Sequence, residues 1–225
     1  MSDNQNRWCF CHSGRSTEGS RAALLDAARW PTGTTISIKF LEGDAGLQQR
    51  VKDVANGWTS LANLGFDFRN AGDTDIRIAF QQGKGSWSYL GTVCRQIPQD
   101  EPTMNYGWLT PDSPDDVLRR VVLHEFGHAL GLIHEHQNPQ GGIQWNRDAV
   151  IRDLSGPPNN WSLETIEFNI FQRNSLSEVT ATSVDKASIM MYVIPQSWTL
   201  DGFSSDLNSE LSVQDKEFIR TAYPS

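Results

Sequence analysis

The chain has 225 residues, enough for one full domain with a sizeable core, or for two small lobes around a cleft. Hydrophobic residues make up 38% and mean hydropathy is −0.47, and no run approaches the ~18 apolar residues of a membrane helix, so no membrane partner is expected. The net charge of −8, from 19 Lys and Arg against 27 Asp and Glu, argues against a nucleic-acid partner.

In chain order, residues 1–28 read as an N-terminal extension, and residues 29–225 as a catalytic domain. Met1 to Arg7 is polar and has no apolar stretch of a secretory signal, which leaves a cytoplasmic location open. Ala22 to Trp30 is expected to be a short helix stopped by Pro31. Thr34 to Leu41 alternates with Ile36, Ile38 and Phe40 on one face, as a strand does. Asp44 is a candidate N-cap for a helix that carries Leu47, Val51, Val54, Trp58 and Leu61 at helical spacing.

Phe66 to Phe68 and Asp75 to Phe80 read as further strands, and Gly83 to Gly91 as an edge strand bounded by glycine. Such an edge offers unpaired backbone groups to an extended peptide, with Trp87, Ser88 and Tyr89 as candidate substrate contacts. Packing into the domain is an equal reading for the two aromatic rings. Met104 to Leu109 is another short strand, and Pro111 to Asp116 is a turn. Asp115 and Asp116 favour the start of a long helix through Val121, Val122 and Leu123. Past residue 134 the chain breaks at Asn138 to Gly142, and helices are expected over Arg147 to Leu154 and Ser162 to Phe171. Gly156 to Asn160 joins them as a loop. The last helix opens with the capping-box pattern Ser212-Val213-Gln214-Asp215 and turns Phe218, Ile219 and Ala222 inward.

The most informative stretch is His124-Glu125-Phe126-Gly127-His128-Ala129-Leu130-Gly131-Leu132-Ile133-His134. Residues four apart on a helix lie one turn apart on one face, about 6 Å along the axis, so His124 and His128 can reach one metal ion. Gly131 can take positive φ, stop the helix and return His134 to the same ion. Three imidazoles leave a fourth position for water, the arrangement of a catalytic zinc site, with Glu125 beside the metal as a general base. Three of the chain's five histidines fall in this motif, which sets the metal reading above that of buried structural histidines. The expected architecture is α+β. A mixed twisted sheet with two long helices forms an upper lobe over about 29–134, and a smaller irregular lower lobe over about 135–225 carries the C-terminal helix.

His124 to His134 resembles HExxHxxGxxH, the signature of the metzincin zinc endopeptidases. Ser188-Ile189-Met190-Met191-Tyr192 resembles their Met-turn, in the form seen in astacin-like members, and Glu135 is also an astacin-like choice. Leu211 to Pro224 is similar to the closing helix that metzincins share, so the resemblance runs over residues 30–224. A microbial-type relative of the astacins with some matrixin-like character fits best. The chain departs from animal astacins at His136-Gln137-Asn138-Pro139, in the absence of their paired disulfides, and in the residues ahead of Trp30-Pro31.

The resemblance implies a metzincin fold, one catalytic zinc on His124, His128 and His134, and Glu125 as general base and then general acid. It implies Met190, or the adjacent Met191, as a hydrophobic floor under the metal, and Tyr192 as a further ligand or an oxyanion donor. Val193 to Trp198 is expected to wall the pocket beyond the cut bond. The implied activity is zinc-dependent hydrolysis of peptide bonds in proteins or peptides by a monomer acting outside the cell. Two readings compete with it: a catalytically quiet zinc-fold binding or toxin-like module, and a hydrolase of a non-peptide amide. Cys94 can pair with Cys9 or Cys11, Cys9 and Cys11 with His12 can form a minor metal site, or a thiolate of Cys9 or Cys11 can ligate the zinc and keep the enzyme latent. Free thiols are the simpler expectation.

Overall fold

The computed structural model describes residues 28–138, 142–157, 159–172 and 184–225, and residues 9–12 as backbone. The side chains of Cys9 and Cys11 and most of the helix expected from Ala22 lie outside the described residues; Ala28 to Trp30 is not helical.

The sheet has strands β1 (Cys9–His12), β2 (Thr35–Phe40), β3 (Gly65–Phe68), β4 (Ile76–Ala79), β5 (Ser86–Tyr89) and β6 (Met104–Tyr106). Their order is β1-β5-β6-β4-β2-β3, and all neighbours are parallel except β5 and β6. The strand expected over Gly83 to Gly91 thus forms in the middle of that segment, but it is not an edge. Cys9 to His12 pairs along it, from Cys9 opposite Ser86 to His12 opposite Tyr89.

Strand β4 departs from simple alternation, because Arg77 is as buried as its apolar neighbours. Its guanidinium donates to five carbonyls: Thr74 (2.8 Å), Asp75 (3.2 Å), Cys94 (3.2 Å), Ile97 (3.0 Å) and Glu101 (2.8 Å). Three of these belong to the loop between β5 and β6, so one side chain ties that loop to the middle of the sheet.

Helix α1 (Ala45–Thr59) starts where expected: the Asp44 carboxylate accepts from the Leu47 amide at 2.9 Å, and Leu47, Val51, Ala55 and Trp58 are buried. Helix α2 (Asp115–Ala129) packs beside it, and the Trp58 indole donates to Leu123 O at 3.0 Å. Both helices share one core with Ile36, Ile38, Ile76 and Ile78 of the sheet. A second cluster gathers helix α3 (Arg147–Ser155), helix α4 (Leu163–Ile166), Met191, Tyr192 and Trp198. Helix α4 runs on into a π-helical turn over Glu167–Phe171, where the sequence predicts one helix. Helix α5 (Val213–Ala222) forms the expected capping box. It follows the second cluster in the chain but packs Ile219, with Tyr223 just beyond it, into the first.

Candidate active site

Helix α2 carries His124, Glu125 and His128 and ends as its sequence requires. Leu130 closes it, Gly131 takes φ of 97°, and the amides of Gly131 and Leu132 return to His128 O (2.8 Å) and Gly127 O (2.9 Å). These are the two bonds of a Schellman motif. Two further carbonyls at this end receive distant side chains, Trp30 Nε1 on Ala129 O (2.8 Å) and Tyr223 Oη on Leu130 O (2.7 Å). The turn delivers His134 to the other two histidines, and one ligand atom from each of the three lies within 4.8 Å of the others. Among the described residues no other group of this kind is found.

All three rings are buried, and burial shifts them toward the neutral form: His124 down to about 4, His128 and His134 well below the ordinary imidazole range. A neutral ring has one N–H, and its position follows from the acceptors. His124 Nδ1 faces Ile189 O and His128 Nδ1 faces Leu132 O, each at 2.8 Å, and a carbonyl only accepts. Both Nε2 atoms are therefore bare. His128 Nε2 lies 3.1 Å from His134 Nε2, and His124 Nε2 is buried with no hydrogen-bond partner. Two nitrogens bound tetrahedrally to one zinc at about 2.05 Å are about 3.3 Å apart. The residues fit the metal.

Glu125 follows the first histidine and is fully buried. Met190, expected as the floor, lies in the first core directly against α2: a Cβ on Gly127 would come within 2.4 Å of its Sδ. Met191 lies in the second core instead. Tyr192 lies against the site, its ring centroid 4.3 Å from that of His134 at a tilt and 6.2 Å from that of His124. Beyond it, Ile194 bridges to Ser205 and the Trp198 indole donates to Asp153 at 2.9 Å. Trp87 and Tyr89 are half-buried and meet edge to face at 5.9 Å, whereas Ser88 is buried with its hydroxyl on Tyr89 O at 3.0 Å.

Three residues escape the sequence reading. Gly127 is required by Met190; a glycine inside a helix is the available signal. His136 is buried with Nε2 2.7 Å from Asn169 O, and its ring lies 4.6 Å from that of Tyr192. Asp215, legible in the sequence as a cap, also bonds Ser188 and Ile189. Glu135, beside His134, is pushed up to about 7 by burial, and its carboxylate accepts from the Asp185 amide and from Asn138 Nδ2, both at 3.1 Å.

A mixed α+β fold with three neutral imidazoles on a helix and on the turn that ends it defines a zinc metallopeptidase of the metzincin type. The model of the astacin peptidase family matches residues 25–197, and the chain belongs to that family. The structure of myroilysin superposes with a TM-score of 0.87 at 41% identity, over 89% of this chain and 98% of that one. Blastula protease 10 of Paracentrotus lividus is 24% identical over 187 residues, which are 76% of this chain and 26% of that protein. Interstitial collagenase of Bos taurus is 26% identical over 138 residues, 52% of this chain and 29% of its own length, so the matrixin likeness is the weaker one. The chain therefore spans between a quarter and a third of the length of these two relatives. No helix among the described residues is long and apolar enough to cross a membrane.

Proposed function

We propose that this domain is a zinc-dependent endopeptidase that hydrolyses peptide bonds of proteins or peptides, with Glu125 as general base and then general acid. The observation that carries it is the convergence of three neutral, buried ring nitrogens one residue away from a buried carboxyl group. Bound zinc supplies a Lewis acid for the scissile carbonyl and lowers the pKa of water to about 7. Glu125 accepts the proton of the attacking water and returns it to the leaving amine. Tyr192 donates to the developing oxyanion, a contribution of about 3 kcal/mol for a single donor. Met190 backs the histidines, and Trp87, Ser88 and Tyr89 of β5 line the path of the substrate. The enzyme acts as a monomer and, as the family resemblance implies, outside the cell.

Replacing Glu125 with Ala is expected to abolish cleavage of an unfolded protein while zinc stays near one per chain. Undiminished cleavage defeats the assignment. Products sequenced by mass spectrometry separate a peptidase from a hydrolase of other amides, and zinc binding without any product identifies a quiet binding module.

Residues 1–28 have a role of their own in this reading. The pairing of β1 with β5 fills the strand along which a peptide would otherwise add, so the extension blocks the enzyme that carries it. The rest of the chain is anchored from Ala28 onward, whose carbonyl accepts from the Thr92 amide at 2.8 Å, and Trp30 is buried. Protein comprising residues 28–225 is expected to cleave the unfolded substrate at least tenfold faster than the full chain. Equal rates, with and without a thiol-blocking reagent, rule out both strand occupancy and a cysteine ligand as the cause of latency.

A further inference from the structure

We propose that Asp215, in the first turn of α5, is a positioning residue for the metal site, acting through the Met-turn on His124. The inference rests on the zinc reading above and adds to it a residue outside the HExxHxxGxxH motif.

A capping carboxylate needs only the amide of its N-cap residue, which Asp215 has from Ser212 at 2.9 Å. This one has two more bonds, both to chain far upstream: the Ser188 hydroxyl donates to Oδ1 at 2.7 Å and the Ile189 amide to Oδ2 at 2.8 Å. The Ser188 oxygen in turn accepts from the Met190 amide at 3.0 Å. Ile189 is thus held at both ends, its N–H on Asp215 and its carbonyl 2.8 Å from His124 Nδ1. The next carbonyl, of Met190, accepts from the amide of Glu135 at 3.0 Å, beside the third ligand. Two of the three histidines therefore take their placement from a turn that one buried carboxylate indexes.

The physical consequence concerns ring orientation. An Nδ1–H···O=C bond selects the tautomer with a bare Nε2 and fixes the direction of its lone pair, and such supporting bonds typically carry 10- to 100-fold in metal affinity. If the Ile189 peptide turns, the His124 ring loses that constraint. Asn208 Nδ2 still holds Ser188 O at 2.9 Å, so the turn persists without Asp215 but loses the bond that sets Ile189.

The test compares zinc affinity, by chelator competition on folded protein, in the full chain and three variants. Asp215→Ala removes all three acceptor contacts, Ser188→Ala removes the bridge from the turn side, and Ser212→Ala removes the helix cap alone. Asp215→Ala is expected to weaken zinc roughly 10- to 100-fold. Ser188→Ala should weaken it about fivefold, a part of the same effect, while Ser212→Ala stays within about twofold despite a lower Tm. The cobalt-substituted Asp215→Ala protein should show a shifted visible absorption band. Asp215→Ala, or Ser188→Ala if the first does not fold, binding zinc within about twofold of the parent overturns the proposal, and so does an equal loss in Ser212→Ala. A parent chain that binds no zinc instead overturns the reading of the site itself.

Discussion

Gly127 is the residue at which helix propensity and the site oppose each other. Alanine there would favour the helix by about 1 kcal/mol. Its Cβ would, however, lie 2.4 Å from Met190 Sδ and 3.4 Å from the Trp58 ring, and overpacking of this kind costs about 1–3 kcal/mol. Gly127→Ala is therefore expected to lower Tm in spite of its better propensity, and to displace Met190 from the helix. A Tm equal to or above that of the parent would show that Met190 moves aside freely. The two adjacent methionines separate here: Met190 lies against Gly127 of α2, and Met191 packs in the second cluster.

Among the elements, β5 and its following loop carry the most consequence, because they present the strand that β1 now covers. That loop buries Leu90, Val93 and Cys94, and the Arg77 guanidinium holds it further through the carbonyls of Cys94, Ile97 and Glu101. Replacing a buried, fully bonded charge by an apolar side chain leaves its acceptors unsatisfied, typically about 3 kcal/mol or more. Arg77→Met should therefore lower the urea midpoint by an amount equivalent to at least about 3 kcal/mol. A change under about 1 kcal/mol would mean that these carbonyls find water instead. The π-helical turn at Glu167–Phe171 has a comparable part in the second cluster, where Asn169 O accepts from the buried His136. Such turns expose a carbonyl that a regular helix would consume.

At the scale of the whole molecule, the site is where two cores meet. Ile189 and Met190 lie in the first, Met191 and Tyr192 in the second, so this short segment joins them. Burying neutral imidazoles there makes the metal-free protein sensitive to acid. The unfolded chain protonates His124 and His136 near 6.5, whereas the folded protein holds them neutral down to about 4. Between these values the unfolded state binds more protons, so stability is complete above 6.5 and is lost as pH falls toward 4. His128 and His134 add in the same direction, and Glu135, raised to about 7, offsets part of it between 4.5 and 7. Chelated protein should thus have a lower Tm at pH 5 than at pH 7, and added zinc should raise Tm at pH 7. A chelated Tm that is flat or higher at pH 5 would contradict the burial of neutral rings.

Much of this is legible in the chain before it folds. The zinc motif, the glycine that ends its helix, the Asp44 cap and the Ser212 capping box are local patterns, in which partners lie within a few residues and spacing alone decides geometry. The alternating strands are legible for the same reason. Arg77 in β4, β1 along β5, Gly127 under Met190 and Asp215 on the Met-turn are not, because each joins residues that only the folded chain brings together. The sequence by itself determined which side chains can hold zinc. Tertiary packing decided what holds His124 still, since the bond that orients it ends on the carbonyl of Ile189, far along the chain, whose position no local pattern records.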